Sequence, residues 1–200
     1  MKMVLASNNA GKLAELQTLF GTLNVQLVRQ SELNIPEAAE PFKTFVENAL
    51  AKARHAALHS GLPAVADDAG LCIDAFCGLP GVDTAYYCTQ FGYEKSDANN
   101  VKAVLEQMSN IDNRRAAMVS TLVAVRSAFD PEPLIAVGRV VVEIAREPIG
   151  NNGFGFDPVL FLPEFGQTFA QLPVEVKNAN SHRGRSSHAM VALMRERWDL

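Results

Sequence analysis

Two long runs rich in β-branched residues, Ala117 to Val125 and Leu134 to Ile144, are joined by Asp130-Pro131-Glu132-Pro133. No other feature constrains the fold as much. Proline and aspartate make a turn while the flanking residues favour extended backbone, so the segment reads as an antiparallel hairpin holding the longest strands of the chain. The hairpin is not alone. Met1 to Ala6 and Val25 to Val28 read as short buried strands, and Leu13, Leu16, Leu19 and Phe20 between them recur at helical spacing until Gly21. Helices and strands alternate around a hairpin, which predicts an α/β fold with a mixed sheet flanked by helices rather than a purely parallel one.

Further elements follow from local chemistry. Thr44 and Glu47 form a T-x-x-E capping box ahead of Phe45, Ala49, Ala53, Ala56 and Ala57, with Gly61 and Pro63 as the stop, so a helix is predicted over about 44–60. Ser31 to Pro41 reads as an ordered loop. Ala64-Val65-Ala66 reads as a short strand that ends in a loop at Asp67-Asp68-Ala69-Gly70, with a strand resuming over Leu71 to Phe76. Gly78-Leu79-Pro80-Gly81 is a turn, Asp97 to Met108 has helical spacing, and an amphipathic helix from about Gly184 to Trp198 closes the chain.

Composition sets limits on function. Two hundred residues, 48% hydrophobic and 20% charged, suit one domain over 1–200 with a core that needs no metal or disulfide staple. A net charge of −4 provides no broad basic face, so neither nucleic acid nor an anionic membrane is expected as a partner. Any phosphate ligand should be small and met locally. Three cysteines (Cys72, Cys77, Cys88), without a C-x-x-C pair, suggest reduced thiols and a cytoplasmic protein, and no apolar run is long enough for a signal sequence or a membrane span.

Five groups of residues could carry chemistry. Ser7-Asn8-Asn9-Ala10-Gly11-Lys12 lies between a strand and a helix, where first-turn N–H groups and the helix dipole attract an anion. It is not a Walker A loop, because Leu13 stands where a magnesium-binding hydroxyl would be. An N-capped helix with a surface lysine is the alternative. Asp67 and Asp68 should point to opposite sides if strand geometry persists, and two such carboxylates can hold magnesium or act as a base, with Glu40 a possible second ligand. A solvated aspartate turn competes with that reading. Asn48, Lys52, His55 and His59 share a helix face that matters only if it borders the carboxylates. Gly153-Phe154-Gly155-Phe156 lacks the third glycine of a dinucleotide fingerprint, but an aromatic between glycines can stack on a nucleobase, Phe154 more readily than a core-packed Phe156. Ser181-His182-Arg183-Gly184, with Lys177 upstream, gathers donors suited to a carbonyl or phosphate oxygen.

In combination the chain resembles the inosine triphosphate pyrophosphatase family, over nearly its whole length. The residues that carry the likeness are Ser7 to Lys12, Thr44 to Ala49 with Lys52-Ala53, Ala66 to Leu71, Gly78 to Gly81, Gly153 to Pro158, and Ser181-His182-Arg183. The resemblance implies an elongated mixed sheet in two lobes with a central nucleotide cleft, a homodimer, and hydrolysis of ITP, dITP or XTP to the monophosphate and pyrophosphate. It implies that Ser7, Asn8, Asn9, Ala10, Gly11 and Lys12 hold the triphosphate with Lys52 nearby, and that Asp68 orients or deprotonates water. Glu40 and Asp68 would hold Mg²⁺. Phe154 would stack on the base with Gly153, Gly155, Phe156 and Asp157 around it, while Lys177, His182 and Arg183 would read its oxygen edge. Two positions depart from the family pattern. Ala69 stands where the family usually has serine, and Tyr86 where it has arginine. They leave open a nucleotide-binding protein with reduced or lost turnover, and the general shape with an early lysine loop leaves open a pyrophosphatase for modified pyrimidine nucleotides.

Overall fold

The structure, a computed structural model, describes the backbone of residues 1–200 and every side chain except those of Ala10, Glu15 and Leu19. The expected contributions of the Ala10 and Leu19 side chains therefore lie outside the described residues. Among the described residues a seven-stranded sheet forms from β1 (Lys2–Leu5), β2 (Gln26–Arg29), β3 (Ala64–Ile73), β4 (Arg115–Val125), β5 (Leu134–Ile144), β6 (Leu160–Leu162) and β7 (Gln167–Thr168). Its order is β2-β1-β3-β4-β5-β6-β7; β1 is parallel to both β2 and β3, and β6 is antiparallel to β5 and β7. The sheet is mixed, as the alternation of elements around a hairpin predicts. Its helices are α1 (Ala10–Phe20), α2 (Phe45–Ser60), α3 (Asp97–Gln107), α4 (Val174–Asn180) and α5 (His182–Trp198).

The chain divides into two compact units. The first comprises Met1–Asp68, Ser120–Gly138 and His182–Leu200; the second comprises Ala69–Val119 and Arg139–Ser181. In the first unit β1 is a continuous apolar run with Met3, Val4 and Leu5 fully buried, the pattern of a strand covered on both faces. One of its clusters packs Leu16 and Phe20 of α1 with Met190 and Met194 of α5; another sets the alanines of α2 (Ala49, Ala53, Ala56, Ala57) against Val4, Ala64, Ala66, Val123 and Val125. Small side chains let that helix approach the sheet closely. The second unit has its own core of Leu71, Ile73, Val104, Met108, Val142, Val159 and Phe169, among others.

Helix ends follow the local chemistry. Thr44 Oγ1 accepts the Glu47 N–H at 3.4 Å and its hydroxyl donates to Glu47 Oε2 at 2.5 Å, so α2 begins where the capping pair predicts, and Gly61 at φ +66° ends it. The return arm of the box goes to the threonine hydroxyl rather than its backbone N–H.

Five local features differ from expectation. Asp67-Asp68-Ala69-Gly70 is not a loop after a strand end but the middle of the continuous ten-residue β3. The reason is electrostatic: each carboxylate has cationic partners on its own side of the strand, so the polar run need not leave the sheet to reach water. Gly81–Phe91 forms an eleven-residue 3₁₀ segment, and Gln30–Leu33 forms a short one that runs into the expected loop. Helix α5 starts at His182 rather than Gly184, and α4 was not anticipated because its seven residues are too few for periodicity to register.

Candidate active site

Strand β3 carries two adjacent carboxylates that serve opposite faces. Asp67 is almost fully buried; its Oδ2 lies 2.9 Å from Lys12 Nζ and 3.1 Å from Arg183 Nε, and its Oδ1 accepts the Ser120 hydroxyl at 2.7 Å. Burial alone would raise its pKa, but the Lys12 and Arg183 charges and the Ser120 bond hold it well below the usual carboxylate range. Near neutral pH Asp67 is the anion of this cluster.

Asp68 meets a different surrounding. Its Oδ1 is 2.9 Å from Lys52 Nζ, and the Asn48 amide donates to Oδ2 at 3.4 Å. Lys52 also reaches Glu40 Oε2 at 2.8 Å, so one ammonium joins two carboxylates. Here burial, aided by the Glu40 charge, outweighs Lys52 and pushes Asp68 upward, while Asp68 and Glu40 raise Lys52 against its own burial. Neighbouring carboxylates with pKa values driven apart are a common signature of divided roles. Glu40 and Asp68 each set one carboxylate oxygen on Lys52 Nζ, so the two anions stand close enough to share a cation, and oxygen donors of this kind suit magnesium, which asks for one or two carboxylates beside substrate phosphates.

The polar face of α2 does border the carboxylates. Asn48 and Lys52, one turn apart, both touch Asp68. Asn48 also accepts the Phe42 N–H at 3.0 Å and donates to the Phe42 carbonyl at 3.2 Å, tying down the segment just after Glu40. At the start of α1, Ser7 Oγ accepts the Asn9 N–H and Asn9 Oδ1 accepts the Lys12 N–H, both at 3.1 Å; Asn8 donates to Glu37 Oε1 at 2.9 Å. Asn9 is thus the helix cap, and Gly11 and Lys12 sit in the first turn, where the dipole favours anions.

The second unit holds the glycine-aromatic loop. Gly153 adopts φ +80°, and a Cβ there would fall 1.9 Å from Asp157 Oδ2, so this glycine is needed for both conformation and space. Asp157 Oδ2 accepts the Phe154 N–H at 2.9 Å and pairs with Lys177 Nζ at 2.7 Å, while Asp97 of α3 accepts the Gly155 N–H at 2.9 Å. Phe156 is buried in the core and Phe154 is 41% exposed, with the Lys177 ammonium 4.7 Å from its ring centroid. A cavity of about 450 Å³ is walled by Asp97, Val101, Pro148, Phe154 and Pro158 together with the glycines of the loop. Its size suits a small molecule.

The geometry sorts the expected residues into two groups. Lys12, Glu40, Lys52, Asp68 and Arg183 belong to the first unit, with His182 beside Arg183 in the first turn of α5. Ala69, Gly153, Phe154, Gly155, Phe156, Asp157 and Lys177 belong to the second. Across all these segments the chain matches the model of the Ham1 family over residues 3–193. The chain belongs to the Ham1 family. It is 75% identical to a dITP/XTP pyrophosphatase of Albidiferax ferrireducens over 99% of this chain and 100% of that one. Among solved structures of the family, a HAM1 protein from Coxiella burnetii superposes with a TM-score of 0.91 at 41% identity, covering 98% of this chain and 99% of that one. The Ham1 protein of Staphylococcus aureus gives 0.87 at 33%, with the same coverage. The α/β fold with a mixed sheet is therefore that of Ham1 proteins.

Asn48, on the helix face that matters only beside the carboxylates, takes its role from its contact with Asp68. Two further residues, Ser120 in the first unit and Asp97 in the second, had no visible signal in the sequence. Ser120 lies in a β-branched run that reads as packing, and Asp97 looks like an ordinary first-turn acid of α3. Of the departures, Tyr86 is exposed with the Lys95 ammonium 3.9 Å above its ring, so a cation stands close to the position that lost its arginine.

Proposed function

We propose that this chain hydrolyses non-standard purine nucleoside triphosphates, namely dITP, XTP and ITP, to the nucleoside monophosphate and pyrophosphate, so cleansing the nucleotide pool. The observation that carries the reading is Asp68: a buried carboxylate with a raised pKa that shares the Lys52 ammonium with Glu40, in a chain that matches dITP/XTP pyrophosphatases over 99% of its length.

The chemistry follows from the residues. Asp68 orients a water and takes its proton as the oxygen attacks the α-phosphorus; a base with a raised pKa holds that proton better than an ordinary aspartate. The bond broken is the one between the α-phosphorus and the bridging oxygen, and pyrophosphate leaves. Lys12 and the first turn of α1, with Ser7, Asn8, Asn9, Ala10 and Gly11, bind the phosphates, and Lys52 neutralises charge beside Asp68. Glu40 and Asp68 would hold Mg²⁺, which supplies charge neutralisation on the phosphoryl oxygens when bound. On the base side, Phe154 offers the stacking face, Gly153, Gly155, Phe156 and Asp157 shape the loop, and Lys177, His182 and Arg183 donate to the purine oxo group. Adenine would place an amino group against those donors, and an unpaired buried polar group supports discrimination on the order of 10⁴. In this reading the protein works as a cytoplasmic homodimer on a small-molecule nucleotide, with no nucleic acid or membrane partner.

The test is pyrophosphate release from dITP, XTP, dATP and dGTP with and without magnesium. Release from dITP and XTP far above dATP, dependent on the metal, is expected. Tight dITP binding without pyrophosphate would select the turnover-deficient alternative, and faster cleavage of a methylated or halogenated pyrimidine triphosphate would select the other.

A further inference from the structure

Behind Asp67 lies a buried hydroxyl pair to which the reaction above gives no task. Ser120 of β4 and Ser186 of α5 are both fully buried, with their Oγ atoms 2.8 Å apart, and Ser120 Oγ is 2.7 Å from Asp67 Oδ1. Because Asp67 Oδ2 lies 2.9 Å from Lys12 Nζ and 3.1 Å from Arg183 Nε, Asp67 acts as a carboxylate whose oxygens accept. Ser120 has one proton and gives it to Asp67, so Ser186 must be the donor between the two serines. The Arg183 carbonyl, 3.1 Å from Ser186 Oγ, is a second and longer acceptor for that proton.

This chain of bonds has a geometric consequence. With Oδ1 taken by Ser120, the carboxylate turns Oδ2 toward Lys12 and Arg183 together. The Arg183 guanidinium is thereby held at Nε, which sets the plane of its fork. The same region is docked tightly from another direction: a Cβ on Gly138 of β5 would lie 2.0 Å from the His182 carbonyl oxygen and 2.5 Å from the Ser186 nitrogen. The first turn of α5 thus rests on the β5 backbone, on the Ser120 to Ser186 bond and on the Asp67 ion pair.

We propose that Ser120 is a positioning residue for purine discrimination: its hydroxyl orients Asp67 so that one carboxylate oxygen aligns Arg183 and Lys12. The inference rests on the reading that Arg183 donates to the oxo edge of the base. It assigns Ser120 no contact with substrate and no part in proton transfer. Its effect falls on the preference between bases rather than on cleavage itself.

The experiment compares kcat/KM for dITP and dATP in the wild type, Ser120→Ala, Ser120→Cys and Ser186→Ala, with melting curves recorded for each. Ser120→Ala should lower the dITP to dATP ratio at least tenfold, mainly by raising KM for dITP. Ser120→Cys, a near-isosteric weak donor that keeps the site filled, should fall between it and the wild type. Ser186→Ala leaves the Ser120 donation in place and should keep the ratio within threefold. A purely packing role would lower melting temperatures and leave every ratio unchanged, and that result overturns the proposal. Should Ser120→Ala fail to fold, an unchanged ratio in Ser120→Cys overturns it equally. A wild type with no preference for dITP would instead remove the base-reading assignment itself, and this inference with it.

Discussion

Asp67 and Asp68 are consecutive on β3, yet one lies with Oδ2 2.9 Å from Lys12 Nζ while the other lies with Oδ1 2.9 Å from Lys52 Nζ, each on its own side of the strand. Alternation of side chains along extended backbone puts them apart. Their partners then drive ionisation in opposite directions, Asp67 down and Asp68 up. One carboxylate is fixed as a counter-ion, and the other is left able to exchange a proton.

Changing Asp68 to Asn keeps the shape and the acceptor for Lys52 but removes the base. Steady-state kinetics should show kcat reduced by about 10²–10⁴-fold. Burial already disfavours the charged form of Asp68, so the variant should melt within a few degrees of the wild type. Wild-type turnover in this variant would move the base elsewhere.

Asp67 to Asn should act on stability and on its pH dependence. Breaking a buried ion pair from one side leaves Lys12 and Arg183 without their shared anion, at about 3–5 kcal/mol near neutral pH. The folded pKa of Asp67 is depressed, so the stability it contributes is complete above the unfolded value near ~3.9 and is lost as pH falls from there toward the folded value. Urea titrations should therefore find the gap between wild type and variant shrinking as pH drops below about 4. A gap independent of pH would argue that Asp67 is not the counter-ion.

Phe154 to Ala removes an exposed ring beside Lys177 without opening the core. Loss of base stacking at about 1–3 kcal/mol corresponds to a rise in KM for dITP of roughly 5- to 150-fold, with kcat little altered. Phe154→Trp should retain wild-type KM. Equal effects on kcat and KM in the alanine variant would place the ring's contribution at the chemical step instead.

Gly138 to Ala should damage the site from outside it. The added methyl meets main-chain atoms of His182 and Ser186, which cannot step aside as a flexible side chain would. A destabilisation of about 1–3 kcal/mol by chemical denaturation is expected, with a displaced α5 start. Unchanged stability and kinetics would mean that the helix shifts freely.

Much of this molecule was legible in its sequence because the relevant physics is local. Thr44, Glu47 and Gly61 bound a helix through bonds within a turn of chain, and the apolar runs around Asp130-Pro131-Glu132-Pro133 specify long strands by alternation and turn chemistry. Ser7 to Lys12 announced a capped helix start by the same means. Alternation put Asp67 and Asp68 on opposite sides only on condition that the strand continued through them, where a loop was expected. What the sequence could not supply was the partner of each: Lys12 and Asp67 are 55 residues apart in the chain, Ser120 and Asp67 are 53 apart, and Arg183 and Asp67 are 116 apart. Only the folded chain brings those charges within 3.1 Å, and the pairing explains why an Asp-Asp-Ala-Gly run stays inside a strand instead of breaking it. Spacing in sequence governs bonds made within a turn of chain, whereas ionisation depends on charges at ångström range, and those neighbours are chosen by the tertiary structure.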